Sequence, residues 1–128
     1  MLNLRFAFTA PVLAVLAFAG AAQAHTRLVS STPAANATVS KPGRVVLTFN
    51  EPVVANFTGA TLVMTAMPGM VGHRPMSISG FTTAMSRDGK TLTLQMRRAL
   101  TPGAYQLSWH AVGDDTHRMT GSFTFTVK

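Results

Sequence analysis

The sequence predicts a small all-β domain, a β-sandwich or barrel of about seven short strands. Three observations predict it: segments that alternate polar and apolar residues, turn dipeptides between them, and no helical repeat of apolar residues after residue 24. The 104 residues from position 25 onwards suffice for one domain but not for two.

The early strands are expected where apolar and β-branched residues concentrate, in residues 44–49 and 60–66. Residues 91–96 alternate strictly between polar and apolar side chains, which is typical of a strand with one buried face. They follow Asp88-Gly89, a dipeptide that favours tight turns between strands. These residues therefore predict strands joined by short connections.

Two further strands are expected after the turn predicted at Pro102-Gly103. In each strand, every second side chain is apolar, so these side chains share one face. They are Tyr105, Leu107 and Trp109 in the first strand, and Phe123, Phe125 and Val127 in the second. We expect these two faces to contribute to the core.

Residues 1–24 have the features of a cleavable secretory signal. An arginine near the start precedes an apolar stretch at 12–19, and Ala22-Gln23-Ala24 provides the small residues that signal peptidase requires. The apolar stretch is too short to span a bilayer. We expect cleavage after Ala24, export of a single domain of residues 25–128 to the periplasm without a membrane span, and His25 as the new N-terminus.

The charge and cysteine content narrow the functional classes. The chain has 11 Lys and Arg against 4 Asp and Glu, a formal net charge of +7, and no cysteine. Disulfides and thiolate metal sites are therefore excluded. The basic residues form no cluster longer than two, and export argues further against nucleic acid as a partner.

His25, Asp115 and His117 form the first candidate site. A terminal histidine offers its α-amine and its ring Nδ1 to one metal ion. If residues 115–117 are extended, the Asp115 and His117 side chains point the same way. This nitrogen-rich set suits Cu(II). The alternatives are that His25 merely follows the cleavage site and that Asp115 caps an ordinary surface turn.

Residues 64–76 form the second candidate site, with four methionines and one histidine in 13 residues. The prolines and glycines among them exclude a continuous helix, which leaves an irregular loop. Thioethers are soft, uncharged donors that select Cu(I). The alternative is that the methionines only fill gaps in packing, the role expected for Met85, Met96 and Met119.

Taken together, these residues resemble the periplasmic copper-resistance protein C (CopC) family. The resemblance covers essentially all of residues 25–128, and is carried by residues 25–33, 57–70, 115–117 and 120–122 together with Trp109. It implies a cupredoxin-like or immunoglobulin-like Greek-key β-sandwich that carries copper.

The resemblance also implies the ligands of each copper ion. The Cu(II) ligands would be His25, Asp115 and His117; the Cu(I) ligands would be Met64, Met67, Met70, His73 and Met76. One departure is that the loop histidine stands three positions after the preceding methionine, rather than two, because both Val71 and Gly72 lie between Met70 and His73. His73 and Met76 are therefore less secure ligands than Met67 and Met70.

The function expected from the resemblance is that of a soluble periplasmic copper carrier without catalysis. Its partners would be copper ions and an inner-membrane copper permease of the CopD type or other periplasmic copper proteins. Two alternatives remain open: an oxidative enzyme with a copper histidine brace, resembling lytic monooxygenases, and a structural β-sandwich that binds no metal. Such enzymes need a flat substrate surface rich in aromatic residues, whereas the one Trp and the one Tyr of this chain both lie on an expected core face, which argues against the enzyme.

Overall fold

The computed structural model describes residues 25–128, so the predicted signal peptide lies outside the described residues. The described chain contains nine strands and one 3-10 turn, Ala55–Phe57. The strands are β1 (Leu28–Thr32), β2 (Thr38–Val39), β3 (Arg44–Phe49), β4 (Gly59–Ala66), β5 (Met76–Ile78), β6 (Phe81–Met85), β7 (Thr91–Met96), β8 (Gly103–Val112) and β9 (Arg118–Val127).

The strands form two layers, which confirms the predicted all-β sandwich. One sheet has the order β1-β3-β7-β6, and the other has the order β2-β9-β8-β4-β5. The chain crosses to the other sheet at β2 and back at β3, and crosses again from β3 to β4, from β5 to β6 and from β7 to β8, as in Greek-key sandwiches. The strand count exceeds the expected seven because β2 and β5 have only two and three residues, too few to show an alternating pattern.

The core lies between the sheets and is built from alternate residues of the long strands, as predicted for residues 91–96 and for the last two strands. The strands contribute Val45, Leu47 and Phe49 from β3, Leu62 and Met64 from β4, Leu92, Leu94 and Met96 from β7, Tyr105, Leu107, Trp109 and Ala111 from β8, and Phe125 and Val127 from β9. Phe123, also predicted to face inward, is partly buried against this core.

The β8–β9 hairpin positions the candidate sites at opposite ends of the sandwich. Its antiparallel register runs from Gly103 opposite Val127 to Val112 opposite Arg118, so residues 113–117 form the connection at one end. At the other end, Ala66 at the end of β4 pairs with Ala104. The methionine-rich segment therefore begins roughly 30 Å from residues 113–117, the length of a ten-residue strand.

No helix in residues 25–128 is long and apolar enough to cross a membrane.

Candidate metal centres

The structure brings His25, Asp115 and His117 together, although 90 positions separate the first two. One potential ligand atom from each lies within 4.8 Å of the other two. His25 Nδ1 is 3.3 Å and His117 Nδ1 is 3.7 Å from the same carboxylate oxygen, Asp115 Oδ2. The two imidazole rings stack with centroids 5.9 Å apart. An ion beside Oδ2 could therefore contact both rings with small side-chain movements.

The conformation of residues 115–117 differs from the extended one expected from the sequence. Thr116 has a positive φ of 63°, and its N–H donates to the Gly113 carbonyl at 3.1 Å, which closes a tight turn. The His117 N–H donates to Asp115 Oδ1 at 3.2 Å. Asp115 therefore caps the turn with one oxygen, as the alternative interpretation held, while its other oxygen faces the histidines.

Burial is unequal among the three side chains. The Asp115 side chain is 19% exposed, whereas those of His25 and His117 are 53% and 69% exposed. A shielded carboxylate with two accessible imidazoles makes a site open to solvent on its nitrogen side. Such a site can take up and release an ion without opening the fold.

A hydrogen-bond network holds the chain at His25 before β1 begins. The Asn50 side chain accepts from the Arg27 N–H at 2.8 Å and donates to the His25 carbonyl at 3.2 Å. The buried Thr26 hydroxyl donates to Glu51 Oε1 at 2.6 Å. Sequence analysis did not single out Asn50 or Glu51. The signal that could have found them is a pair of polar residues directly after the buried strand β3.

Gly113 allows this network to lie against the β8–β9 connection. A Cβ at this position would overlap the Glu51 carboxylate and the Thr26 hydroxyl. The absence of a side chain here lets the N-terminal segment approach the turn that carries Asp115 and His117.

The methionine-rich segment divides into buried and exposed residues. Met64 belongs to β4 and is 3% exposed within the core, whereas Met70 and Met76 are 55% and 48% exposed. Met67 is partly buried against the core. The structure therefore joins Met64 to the core and leaves two methionine side chains open to solvent.

Strand pairing nevertheless places Met64 beside Met76. The two are direct partners in the β4–β5 ladder, so their side chains lie on the same face of the sheet. Between them the chain turns at Gly69 and Gly72, whose φ angles are 75° and 71°, and forms the irregular loop predicted from its glycines and prolines. In this loop, the His73 Nδ1 atom is buried and has no hydrogen-bond partner within the described chain.

His110 lies apart from both groups, on the outer face of the five-stranded sheet. Its ring lies over Gly59, where an added Cβ would be 3.1 Å from His110 Cε1. Burial lowers the pKa of His110, and the positive charge of Arg118 lowers it further. We therefore assign it to neither metal centre.

The CopC domain family matches residues 28–128, which include both candidate metal centres except His25. The chain belongs to the CopC family. It is 44% identical over its full 128 residues to the copper resistance protein C of Pseudomonas syringae pv. tomato, also covered in full. It is 41% identical over 114 residues to that of Escherichia coli, covering 89% of this chain and 90% of the relative.

Solved structures of CopC relatives agree with the fold. The crystal structure of PcoC, described as a methionine-rich copper resistance protein from Escherichia coli, matches with a TM-score of 0.74 and 40% identity, covering 82% of this chain and all of that one. The CopC of Methylosinus trichosporium OB3b, at 24% identity and a TM-score of 0.66, supports the fold alone. The resemblance inferred from the sequence is confirmed, and membership of a copper resistance family indicates copper binding.

Proposed function

We propose that this CopC protein is a periplasmic copper carrier with a Cu(II) site at His25, Asp115 and His117 and a separate Cu(I) site in the methionine-rich loop. The observation that carries the proposal is the convergence of His25 on the Asp115–His117 turn within 4.8 Å. The turn is local in sequence, but the approach of His25 to it is not. A surface turn with an incidental histidine would not require this approach.

The first donor set favours Cu(II) by its chemistry. Once a signal peptide is removed after Ala24, His25 supplies its amine and ring nitrogen, and Asp115 and His117 add a carboxylate oxygen and a second imidazole. Nitrogen-rich sets of four donors suit the tetragonal geometry of Cu(II). Protons compete for the amine and imidazole nitrogens, so Cu(II) affinity should fall towards acid pH.

The second donor set favours Cu(I). Thioethers are soft donors that carry no proton, and they bind Cu(I) in preference to harder ions. Met70 and Met76 are exposed, and Met67 is partly buried against the core. The unpartnered Nδ1 of His73 is a further nitrogen available to an ion after a small movement. Met64 lies beside Met76, and its buried sulfur completes the proposed set from beneath.

The site favours binding and exchange over catalysis. Histidine-brace enzymes act on polymers across a flat aromatic surface, but Tyr105 and Trp109 of this chain are core residues. Asp115 also lies against the proposed Cu(II) position, where an oxygen-activating site would need an open coordination place. The proposed partners in copper exchange are periplasmic copper proteins or an inner-membrane permease of the CopD type, as the family resemblance implies.

The decisive experiment measures copper binding to exported protein whose N-terminal mass establishes the start at His25. We expect one equivalent of Cu(II), with a nitrogen-rich electron paramagnetic resonance spectrum, and one of Cu(I) against a competing chelator. As a control, a form with one residue before His25 has the His25 nitrogen tied up in a peptide amide and should bind Cu(II) much more weakly. Equal Cu(II) affinity and spectrum in both forms would contradict the terminal chelate.

A further inference from the structure

We infer that Asn50 is a positioning residue for the Cu(II) site, which it serves by fixing the main chain at His25 without binding the ion. This inference rests on the proposed function. The chelate requires that the amine and ring of residue 25 reach an ion held by Asp115 and His117. A chain terminus has no preceding peptide to restrain it, so its position must be set from the carbonyl side.

Asn50 provides that restraint through three hydrogen bonds. Its side chain donates to the His25 carbonyl at 3.2 Å and accepts from the Arg27 N–H at 2.8 Å. Its own backbone N–H donates to the Arg27 carbonyl at 3.1 Å. One side-chain amide thus bridges two residues of the terminal segment, a bridge that requires a donor and an acceptor on the same group.

The restraint acts from a rigid base. Asn50 directly follows Phe49, the last residue of β3. Phe49 is buried in the core and pairs with Leu28 of β1. Residue 25 is held by Asn50 at its carbonyl, while its imidazole remains about half exposed. Groups that orient metal ligands through hydrogen bonds typically change metal affinity by about 10-fold to 100-fold when removed. We expect the lower end, about tenfold, because Thr26 continues to anchor the segment through Glu51.

The test is the Asn50→Ala variant of the mature protein, compared with Asn56→Ala as a matched control. Asn56 is exposed in the 3-10 turn and makes no side-chain hydrogen bond among the described residues. Cu(II) affinity should fall about tenfold in Asn50→Ala alone, with an altered electron paramagnetic resonance spectrum. Cu(I) affinity should stay constant in both variants, since the methionine-rich loop lies at the other end of the sandwich.

A second background separates positioning from a general structural role. When His25→Ala is combined with one extra residue in front of it, residue 25 has neither an imidazole nor a free amine with which to bind the metal ion. There, Asn50→Ala should leave the residual Cu(II) affinity unchanged. If Asn50→Ala does not fold, Asn50→Leu takes its place, because leucine has nearly the shape of asparagine but a side chain that neither donates nor accepts hydrogen bonds.

The outcomes distinguish the inference from the proposal beneath it. If the mature wild-type protein binds no Cu(II), the proposed function fails and this inference falls with it. If the wild type binds Cu(II) but Asn50→Ala binds it equally well, only the positioning role is overturned. An equal loss of affinity in both backgrounds also overturns it, because Asn50 would then act on the fold and not through His25.

Discussion

Substituting His117 with alanine should remove most Cu(II) binding and leave Cu(I) binding nearly intact. His117 Nδ1 lies 3.7 Å from the shared carboxylate oxygen, so the substitution deletes one of the two imidazoles of the proposed site. Loss of a residue that merely orients a ligand costs about 10-fold to 100-fold in metal affinity. Loss of a ligand should therefore weaken Cu(II) binding by at least about 100-fold.

The effect on Cu(I) follows from the separation of the two centres. They lie at opposite ends of β8, roughly 30 Å apart. Two unit charges at that distance interact by only about 0.1 kcal/mol in water, and physiological salt screens even this. Losing the bound Cu(II) should thus change Cu(I) affinity by less than about 1.5-fold.

The assay is a competition titration of each oxidation state into the wild type, His117→Ala and His110→Gln. His110 is a suitable control because it lies on the outer face of the sheet and outside both proposed ligand sets. Its substitution should affect neither affinity. A parallel loss of Cu(II) and Cu(I) affinity in His117→Ala would refute the reasoning, since it would mean one shared site.

Three further predictions follow from the same structure. The double substitution Met67→Leu and Met70→Leu should weaken Cu(I) binding but cost under roughly 1.5 kcal/mol of folding stability per site. The control Met85→Leu in β6 should not change Cu(I) affinity. If the double variant binds Cu(I) as tightly as the wild type, the loop methionines are packing residues and not ligands. Gly121→Ala places a Cβ 2.6 Å from the buried Trp109 ring and should lower the free energy of unfolding by about 1–3 kcal/mol. The control Gly43→Ala should leave that free energy unchanged, because no atom lies within 4 Å of the added Cβ. Urea unfolding followed by Trp109 fluorescence measures both variants. Because the pKa of His110 is lowered from 6.5, the unfolded chain takes up a proton at higher pH than the folded one, so stability should fall as the pH drops through about 6.5. Urea unfolding at several pH values should show a shallower fall in His110→Gln, and identical slopes would contradict this assignment.

The sequence by itself was sufficient for the features that depend on neighbouring residues. Strict alternation in residues 91–96 determines which side chains face the core, because successive side chains of a strand point to opposite faces. The resulting burial of Leu92, Leu94 and Met96 is observed. In the same way, prolines and glycines predict an irregular loop within residues 64–76, although the two ends of that range belong to strands, with Met64 in β4 and Met76 in β5.

Local pattern was not sufficient where the outcome depended on a neighbour in space. Met64 and Met70 both belong to the methionine-rich segment, but Met64 lies in β4 with its side chain in the core, whereas Met70 lies in the open loop. The difference comes from the pairing of β4 with β8, which continues to Ala66. The strand β5 was likewise too short to predict, because its three residues are stabilised by pairing with β4.

The candidate Cu(II) site shows the same division. The spacing predicts the Asp115 and His117 pair, and the cleavage motif predicts a terminal His25, because both signals are local in sequence. Their approach to within 4.8 Å was decided only by the tertiary structure, through the pairing of β1 with β3 and of β8 with β9. The polar pair Asn50-Glu51 after β3 is visible in the sequence, but the role of Asn50 is not, for the same physical reason. Its hydrogen bonds reach residues more than 20 positions away, and a contact at that separation exists only once the sheets have formed.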